Sequence, residues 1–333
     1  WGFPVVADSG RIYVFFTREV GIWDASRQGS GTIGCIISDD LGHTWREAPD
    51  IPMARSRYDH PDPQVPKNWI VWQKPTRDSG RRWLAGYTLV TSPARFDEPP
   101  AGWWHWDSHS YFMRFENIHE GPDPQDIQIA WLPDGDAGLG VPIPVRPGMS
   151  AAQEPSIVLL PDARLFATMR TLTGHIWYSV SDDDGETWRK PEPLRYRDGG
   201  ERIEHPLSCC PIYALDERRY LLLLHNNPGR RLGHDQLELQ WRTNHLNFLR
   251  NPTFISLGEY RSDAHQPVWF GRPYKLFDTD DVPVGPKGTT EVATYTSMTR
   301  WRGRRTLWYP DRKYYLLGKF LTDDLLGAMA APP

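Results

Sequence analysis

Residues 38–45 read SDDLGHTW and residues 181–188 read SDDDGETW. Both octapeptides follow the pattern Ser-x-Asp-x-Gly-x-Thr-Trp, which fixes five of their eight positions. A chance pair of this kind is improbable in one chain, so the recurrence indicates a repeat architecture.

The residues of the octapeptide suit a tight turn that ends against a neighbouring sheet. The aspartate at its third position can accept backbone N–H bonds, its glycine can adopt a positive φ, and its tryptophan can pack between sheets. These are structural tasks. We therefore expect Asp40, Trp45, Asp183 and Trp188 to stabilise the fold rather than to take part in catalysis.

The segment EPSIVLLPDARLFATMRTLTGHIWYSVSDDDGETW, residues 154–188, sets the second octapeptide in a strand pattern. Its apolar runs are separated by turn residues and predict a four-stranded antiparallel meander, with the octapeptide between the third and fourth strands. Similar runs recur in residues 3–45, 69–132, 211–260 and 294–320. Four-stranded units of about 45–50 residues are typical of propeller blades.

The sequence therefore predicts an all-β fold, a single β-propeller domain over residues 1–333 with four-stranded antiparallel blades. Five blades can be counted, and six is the expected number because the stretches 46–68, 92–110 and 261–290 could hold another. The 31 prolines and 28 glycines disfavour long helices, and no amphipathic helix is predicted.

The composition narrows the function classes. A net charge of −4 gives no basic field of the kind that nucleic-acid binders carry, and no apolar run nears the roughly 18 residues of a membrane span. Three cysteines form no disulfide framework and eleven histidines show no metal-binding spacing, so neither a cofactor nor a metal is expected. The 16 Trp, 14 Tyr and 12 Phe residues suit sugar-stacking surfaces, which makes a glycan or small sugar the expected partner. The oligomeric state stays open.

The two octapeptides resemble the Asp-box of the sialidase superfamily, whose members are β-propellers and, in the sialidases themselves, six-bladed. Near the second octapeptide, Glu154 is followed sixteen residues later by Arg170, as in the corresponding sialidase segment. The resemblance implies that the glutamate polarises a tyrosine nucleophile and that the arginine belongs to a triad that clamps the substrate carboxylate. The stretch 294–312 resembles the strand that carries the nucleophile, which places it at Tyr295, and Asp24 loosely matches the general acid.

A tyrosine nucleophile suits an anionic substrate, because a carboxylate nucleophile would repel it. No signal peptide is visible in a chain that begins at Trp1, while the resemblance favours a secreted or periplasmic location.

The other two arginines of the triad are harder to match. In the opening stretch WGFP, Gly2 stands where sialidases carry the first arginine. For the third arginine, Arg230, Arg231 and Arg242 are candidates, and we assign Arg231 to the substrate site.

Several further side chains are candidates for the site. His60, His205 and His265 precede expected inner strands, where each either bonds loop backbone or faces the ligand. We place His205 among the catalytic candidates, because histidine transfers protons near neutral pH, and His60 among the substrate-binding ones. Trp72 and Lys74 are also assigned to substrate binding. Three tryptophans of the loop GWWHWDS either pack between blades or form a sugar-stacking rim: Trp103, Trp104 and Trp106.

Three functions fit these observations. The first is a retaining exo-glycoside hydrolase, sialidase-like, that acts on a terminal acidic sugar. The second is a lyase that acts on a uronic-acid glycan, with a histidine and a tyrosine for β-elimination. The third is a non-catalytic glycan-binding propeller, since a fold does not imply one function.

The replacement of an arginine by Gly2 predicts weak activity on sialic acid. A hydrogen bond to a charged group contributes about 1.5–3 kcal/mol. Because an arginine of the clamp is lost, we expect little or no release of 4-methylumbelliferone from its sialic acid conjugate, measured by fluorescence beside a sialidase. Turnover equal to that of the sialidase would show that another arginine completes the clamp.

Overall fold

The computed structural model describes residues 1–98, 107–143, 146–229 and 249–330, and strands dominate its regular structure. Within these ranges, three short 3-10 turns lie at Pro93–Arg95, Ile118–Glu120 and Pro124–Asp126, and one α-helix, α1, lies at Asp323–Ala330. The strands of these ranges, in chain order, are β1 Gly2–Val6, β2 Ile12–Arg18, β3 Ser30–Ser38, β4 Arg46–Ile51, β5 Lys67–Ile70, β6 Thr76–Arg77, β7 Trp83–Val90, β8 Ser108–Phe115, β9 Ile129–Leu132, β10 Pro142–Ile143, β11 Arg146–Ser150, β12 Gln153–Leu159, β13 Leu165–Arg170, β14 Trp177–Ser181, β15 Glu192–Pro193, β16 Ile212–Ala214, β17 Arg219–Leu224, β18 Thr253–Tyr260, β19 Val268–Phe270, β20 Tyr274–Phe277, β21 Ser297–Trp301, β22 Arg304–Asp311 and β23 Tyr315–Phe320.

Within the described ranges the strands form five sheets. The first runs β1-β2-β3-β5-β7-β8-β9, with β4 paired to β3 and β6 to β7, and a small sheet pairs β10 with β11. The others run β12-β13-β14-β15, then β16-β17-β18-β19 with β20 also on β18, and then β21-β22-β23. The predicted all-β class and the meander around the second octapeptide are thus confirmed. The number of blades stays a prediction.

Contacts between residues divide the chain into two compact units. Unit 1 comprises Trp1–Pro155, Ala163–Leu165 and Val180–Lys190, and unit 2 comprises Ser156–Asp162, Phe166–Ser179 and Pro191–Pro333. The single domain inferred from the sequence stays a prediction.

The core of unit 1 follows from alternation along its strands. In β1 the side chains of Phe3 and Val5 are buried while their neighbours are exposed, because successive strand residues point to opposite faces. Strand β2 buries Tyr13 and Phe15 in the same way. The Phe15 ring stacks on Phe115 of β8 with centroids 4.9 Å apart, so one aromatic cluster joins distant strands of the first sheet.

Unit 2 packs a leucine-rich strand against its last sheet. Leu223 of β17 and Ile255 of β18 are fully buried and share a core cluster with Leu307 of β22. The sheet β21–β23 buries one face in this way, while Trp301 and Phe320 on its other face are 66% and 59% exposed.

The first octapeptide forms the turn between β3 and β4. Asp40 accepts hydrogen bonds from the Thr44 backbone N–H at 2.8 Å, from the Thr44 hydroxyl at 2.6 Å and from the Ser38 hydroxyl at 2.8 Å. The Trp45 indole N–H donates to the Gly42 carbonyl at 3.0 Å. The bonds from Thr44, followed by that from Ser38, lower the pKa of Asp40 to about 2, so the turn holds an ionised carboxylate.

The second octapeptide repeats this network between β14 and β15. Asp183 accepts from the Thr187 backbone N–H at 2.9 Å and from its hydroxyl at 2.6 Å. Trp188 stacks on Phe112 of β8 with centroids 4.4 Å apart, which confirms the expected packing against a sheet. Trp45 differs, because its side chain is 44% exposed.

The helix α1 was not predicted from the sequence. Its backbone begins with Leu326 N–H donating to the Thr322 carbonyl at 3.1 Å, and Leu326 and Met329 pack into the core of unit 2. Eight residues are too few to display a helical hydrophobic period, so tertiary packing rather than pattern stabilises it.

The turn geometry predicts a stability difference between two glycines. Gly185 in the second octapeptide has φ +89°, so Gly185→Ala should lower the free energy of unfolding by about 1–2 kcal/mol. Gly327 lies inside α1 with open space around it, so Gly327→Ala should be neutral or stabilising by up to about 1 kcal/mol. Thermal unfolding of both variants tests this, and equal shifts in Tm would contradict it.

Candidate functional site

Arg170 and Tyr295 form a charged hydrogen bond inside unit 2. Arg170 ends strand β13 and is 5% exposed, whereas Tyr295 is half-buried. The Arg170 Nη1 donates to the Tyr295 phenolic oxygen at 3.0 Å. Because a guanidinium is always charged, it stabilises negative charge on that oxygen.

The two threonines that flank Tyr295 anchor its backbone. The Thr294 hydroxyl donates to the Cys209 carbonyl, and Thr296 accepts at its carbonyl from the Tyr213 hydroxyl at 2.7 Å. Both threonines are buried. The Thr294 hydroxyl and the Thr296 carbonyl thus hold the backbone on both sides of Tyr295.

The same loop also anchors the strand of Arg170. Two residues before the arginine, on the same face of β13, the Thr168 hydroxyl donates to the Cys210 carbonyl at 2.7 Å. Adjacent carbonyls at Cys209 and Cys210 therefore fix both the strand that ends in Arg170 and the segment that carries Tyr295.

His205 is hydrogen-bonded to the backbone of this loop. Its Nε2 lies 3.0 Å from the Ser208 carbonyl and 3.2 Å from the Cys209 carbonyl, while its Nδ1 accepts the backbone N–H of His225 at 3.1 Å. Burial, aided by the neighbouring His225, lowers its pKa well below the ordinary value, so the ring is neutral with its proton on Nε2. With both nitrogens bonded to backbone, these contacts favour the loop-bonding alternative over proton transfer.

Asp24 lies in unit 1 within a polar cluster. The Asn68 side-chain amide donates to Asp24 Oδ2 at 2.7 Å, and the Asn68 amide oxygen accepts from the Ser30 hydroxyl at 2.6 Å. The carboxyl group is half-buried and oriented. Such orientation suits a general acid, a role that stays a prediction.

Glu154, also in unit 1, combines burial with an unusual backbone. It is 2% exposed, has φ +48°, and donates its backbone N–H to the Thr88 hydroxyl at 2.6 Å. A positive φ costs energy for a residue with a side chain, and such strain is concentrated at functional sites. Its predicted action on Tyr295 stays a prediction.

Gly2 is held tightly in unit 1. It pairs with Phe16 in the sheet, and a Cβ added at Gly2 would lie 2.7 Å from the Phe15 carbonyl oxygen. An arginine at this position would therefore require the backbone to shift, which gives the glycine a packing reason.

The remaining predicted site residues are dispersed. His60 accepts the Asp62 backbone N–H at 3.0 Å on Nδ1, which is a loop contact. His265 is exposed and lies 3.0 Å from a Glu192 carboxylate oxygen, while Trp72 is half-buried and Lys74 exposed. Others lie outside the described residues, namely Arg230, Arg231, Arg242, Trp103, Trp104 and Trp106.

Sequence reasoning missed the groups that position the site. The carbonyls of Cys209 and Cys210 and the hydroxyls of Thr168 and Thr294 belong to no sequence motif, so no pattern in the sequence pointed to them. In the part of the chain that the structure describes, no group of histidine, cysteine and acidic residues could hold a metal ion, and no helix is long and apolar enough to cross a membrane.

Comparisons with known proteins agree with the strand architecture. Residues 2–269 match the family described as "BNR repeat-like domain". No curated protein sequence matches the chain significantly.

Several solved structures resemble the chain. A protein of unknown function from Dyadobacter fermentans is 13% identical with a TM-score of 0.55, over 92% of this chain and 71% of that one. The intramolecular trans-sialidase from Ruminococcus gnavus, in complex with oseltamivir carboxylate, is 16% identical with a TM-score of 0.53, over 91% of this chain and 52% of that one. A Hadza microbial sialidase is 13% identical with a TM-score of 0.56, over 97% of this chain and 52% of that one.

The chain spans about half the length of these two sialidases. At such identities the likeness shows the fold alone, which is propeller-like. The resemblance to the Asp-box superfamily is confirmed.

The histidine geometry predicts a pH-dependent stability. Burial lowers the pKa of His225 to about 3, and His205 shifts in the same direction, so both stay neutral in the fold while the unfolded chain protonates below about 6.5. The contribution of these two histidines to the free energy of unfolding is therefore fully present above that pH. It falls as the pH drops, by about 1.4 kcal/mol per pH unit for each histidine. Urea unfolding from pH 7 to 4.5 measures this slope.

His225→Asn tests the prediction with little change to the local hydrogen bonds, because an asparagine amide can still donate to the Pro252 carbonyl that lies 3.0 Å from His225 Nδ1. It should reduce the slope, whereas His43→Asn, at an exposed histidine, should leave it unchanged. An unaltered slope in His225→Asn would contradict the prediction.

Proposed function

The chain belongs to the BNR repeat-like domain family, and on that premise we propose that it is a glycoside hydrolase that removes a terminal acidic sugar with retention of configuration. The hydrogen bond from Arg170 to the phenolic oxygen of Tyr295 carries the proposal. It joins a nucleophile of the type that retaining sialidases use to a cation that stabilises its ionised form.

In the first step of the proposed reaction, the Tyr295 oxygen attacks the anomeric carbon as the bond to the leaving group breaks. The phenolic proton passes to a base, and the leaving oxygen takes a proton from an acid. In the second step, water attacks the same carbon from the side opposite the tyrosine and gives a proton to the acid group that was deprotonated in the first step. The bond to the Tyr295 oxygen breaks, that oxygen regains a proton from the protonated base, and two inversions give retention. Arg170 stabilises the oxygen of Tyr295 before attack and after release.

The same arginine favours an anionic substrate. A guanidinium has five N–H donors, so Arg170 can contact a sugar carboxylate as well as the phenol. A tyrosine that is neutral in the resting state does not repel that carboxylate. The charge at this pair therefore supports an acidic sugar over a neutral one.

Asp24 and Glu154 belong to unit 1. Their roles as general acid and as the residue that polarises the nucleophile stay predictions from the family resemblance. The oriented carboxyl group of Asp24 and the strained backbone of Glu154 support assigning them functions.

The two alternative functions differ in what they require. A lyase that relies on a histidine and a tyrosine for β-elimination would use His205 as its base, and the bonds of both His205 nitrogens to backbone weigh against it. A non-catalytic glycan binder would need no nucleophile, and it is tested by the same experiment as the hydrolase.

Tyr295→Phe should abolish hydrolysis, with a rate loss of about 10³ or more, because the nucleophile is removed. The substrate is found by screening chromogenic conjugates of terminal acidic sugars. Tyr315→Phe, which removes the hydroxyl of a tyrosine that is 52% exposed on β23, should keep full activity. Proton NMR of the first product should show retention, and a fluorinated substrate analogue should label the peptide that contains Tyr295.

Three results would contradict the proposal. An inverted first product excludes a covalent intermediate. A product that absorbs near about 235 nm would indicate β-elimination and a lyase. Binding of acidic glycans without turnover would identify a non-catalytic binder.

A further inference from the structure

A cavity lies in unit 2, and neither Arg170 nor Tyr295 lines it. Its volume is about 810 Å³, ample for more than one sugar ring. Two stretches and one residue line it: the hairpin at 196–201, the corner at 270–273, and Asn226.

The cavity lies at the end of the sheet at which strand β13 ends with Arg170. Strand β14 follows β13 in the same sheet and begins at Trp177, and Trp177 pairs with Pro193 at the end of β15. The hairpin that lines the cavity follows Pro193 directly. Successive strands of a meander alternate in direction, so this hairpin and Arg170 lie at the same end of the strands.

Hydrogen bonds make the wall of the cavity rigid. The buried Gln266 accepts the Arg195 backbone N–H at 2.8 Å and donates to the Arg195 and Val268 carbonyls, both at 2.7 Å. Phe270 donates its backbone N–H to the Tyr196 carbonyl at 2.8 Å. A wall fixed before binding loses little conformational entropy when a ligand arrives.

Two arginines give the cavity its charge. Arg197 and Arg272 line it and are exposed, and among the described residues no carboxylate pairs with either. Two guanidiniums that face one cavity can each bind a carboxylate through two N–H bonds. Glu201 also lines the cavity, so the charged side chains of the lining carry one net positive charge. Its carboxylate can accept hydrogen bonds from sugar hydroxyls.

Aromatic and amide groups complete the lining. Tyr196 is half-buried and offers ring surface to the cavity, whereas Phe270 is 6% exposed and packs beneath it. Asn226 lies 3.5 Å from the Tyr196 hydroxyl, measured to its Oδ1. Carbohydrate sites typically combine an aromatic ring, which packs against the C–H face of a sugar, with polar groups that bond its hydroxyls.

We propose that this cavity binds a carboxylate-bearing residue of an acidic glycan, separately from the sugar that is cleaved. Binding itself does not depend on catalysis. The further role, that the cavity holds the chain next to the scissile residue, rests on the proposed function.

Binding is measured with the full chain carrying Tyr295→Phe, so that no ligand is consumed. Calorimetric titrations use oligomers of polysialic acid and of polygalacturonate as acidic probes and maltotetraose as the neutral one. We expect binding of at least one acidic oligomer, weakened by salt, and none of maltotetraose. Arg197→Gln and Arg272→Gln should each weaken binding about 10-fold or more.

Arg302→Gln supplies the matched control, because Arg302 is exposed in unit 2, does not line the cavity, and its loss changes net charge equally. It should leave affinity within about 2-fold, since screening limits the effect of a distant charge. Equal losses in all three variants would overturn the site, as would unchanged affinity in Arg197→Gln and Arg272→Gln together, or equal binding of maltotetraose.

Turnover separates this proposal from the proposed function. In the active chain, Arg197→Gln should raise KM for an acidic oligomer and leave kcat on a single-sugar conjugate unchanged. If the chain with Tyr295 intact binds acidic oligomers through these arginines but turns none over, only the proposed hydrolase function is wrong. If it turns acidic sugars over but its binding does not depend on Arg197 and Arg272, only the proposed binding site is wrong.

Discussion

Two adjacent carbonyl oxygens, those of Cys209 and Cys210, anchor the segments of the two side chains on which the proposed chemistry depends. One accepts the Thr294 hydroxyl beside Tyr295 and the other accepts the Thr168 hydroxyl two residues before Arg170. A phenol and a guanidinium from segments far apart in the chain thereby meet at 3.0 Å. Because buried carbonyls require partners, the loop and both segments stabilise one another.

The loop in turn depends on a neutral histidine. His205 Nε2 donates to the carbonyls of Ser208 and Cys209, and its Nδ1 accepts the backbone N–H of His225, so both ring nitrogens are satisfied. Burial keeps both rings uncharged. Both nitrogens of His205 therefore contact loop backbone, and its catalytic role stays a prediction.

Charge is distributed unevenly over unit 2. Arg170 is buried and bonded to the phenol, while Arg197 and Arg272 are exposed without carboxylate partners among the described residues. A net charge of −4 for the whole chain conceals this local positive character. Long anionic ligands respond to such local fields rather than to net charge, because salt screens interactions beyond about 10 Å.

The sequence by itself determined the repeated turn and the all-β class, since the bonds of Asp40 and Asp183 are local and span only four residues. It also pointed to Arg170 and Tyr295 through a family pattern. Only the tertiary structure decided which groups His205 contacts, that α1 forms, and that a charged cavity opens beside the hairpin at 196–201. These outcomes depend on contacts between residues that are far apart in the chain, and no local sequence pattern specifies such contacts.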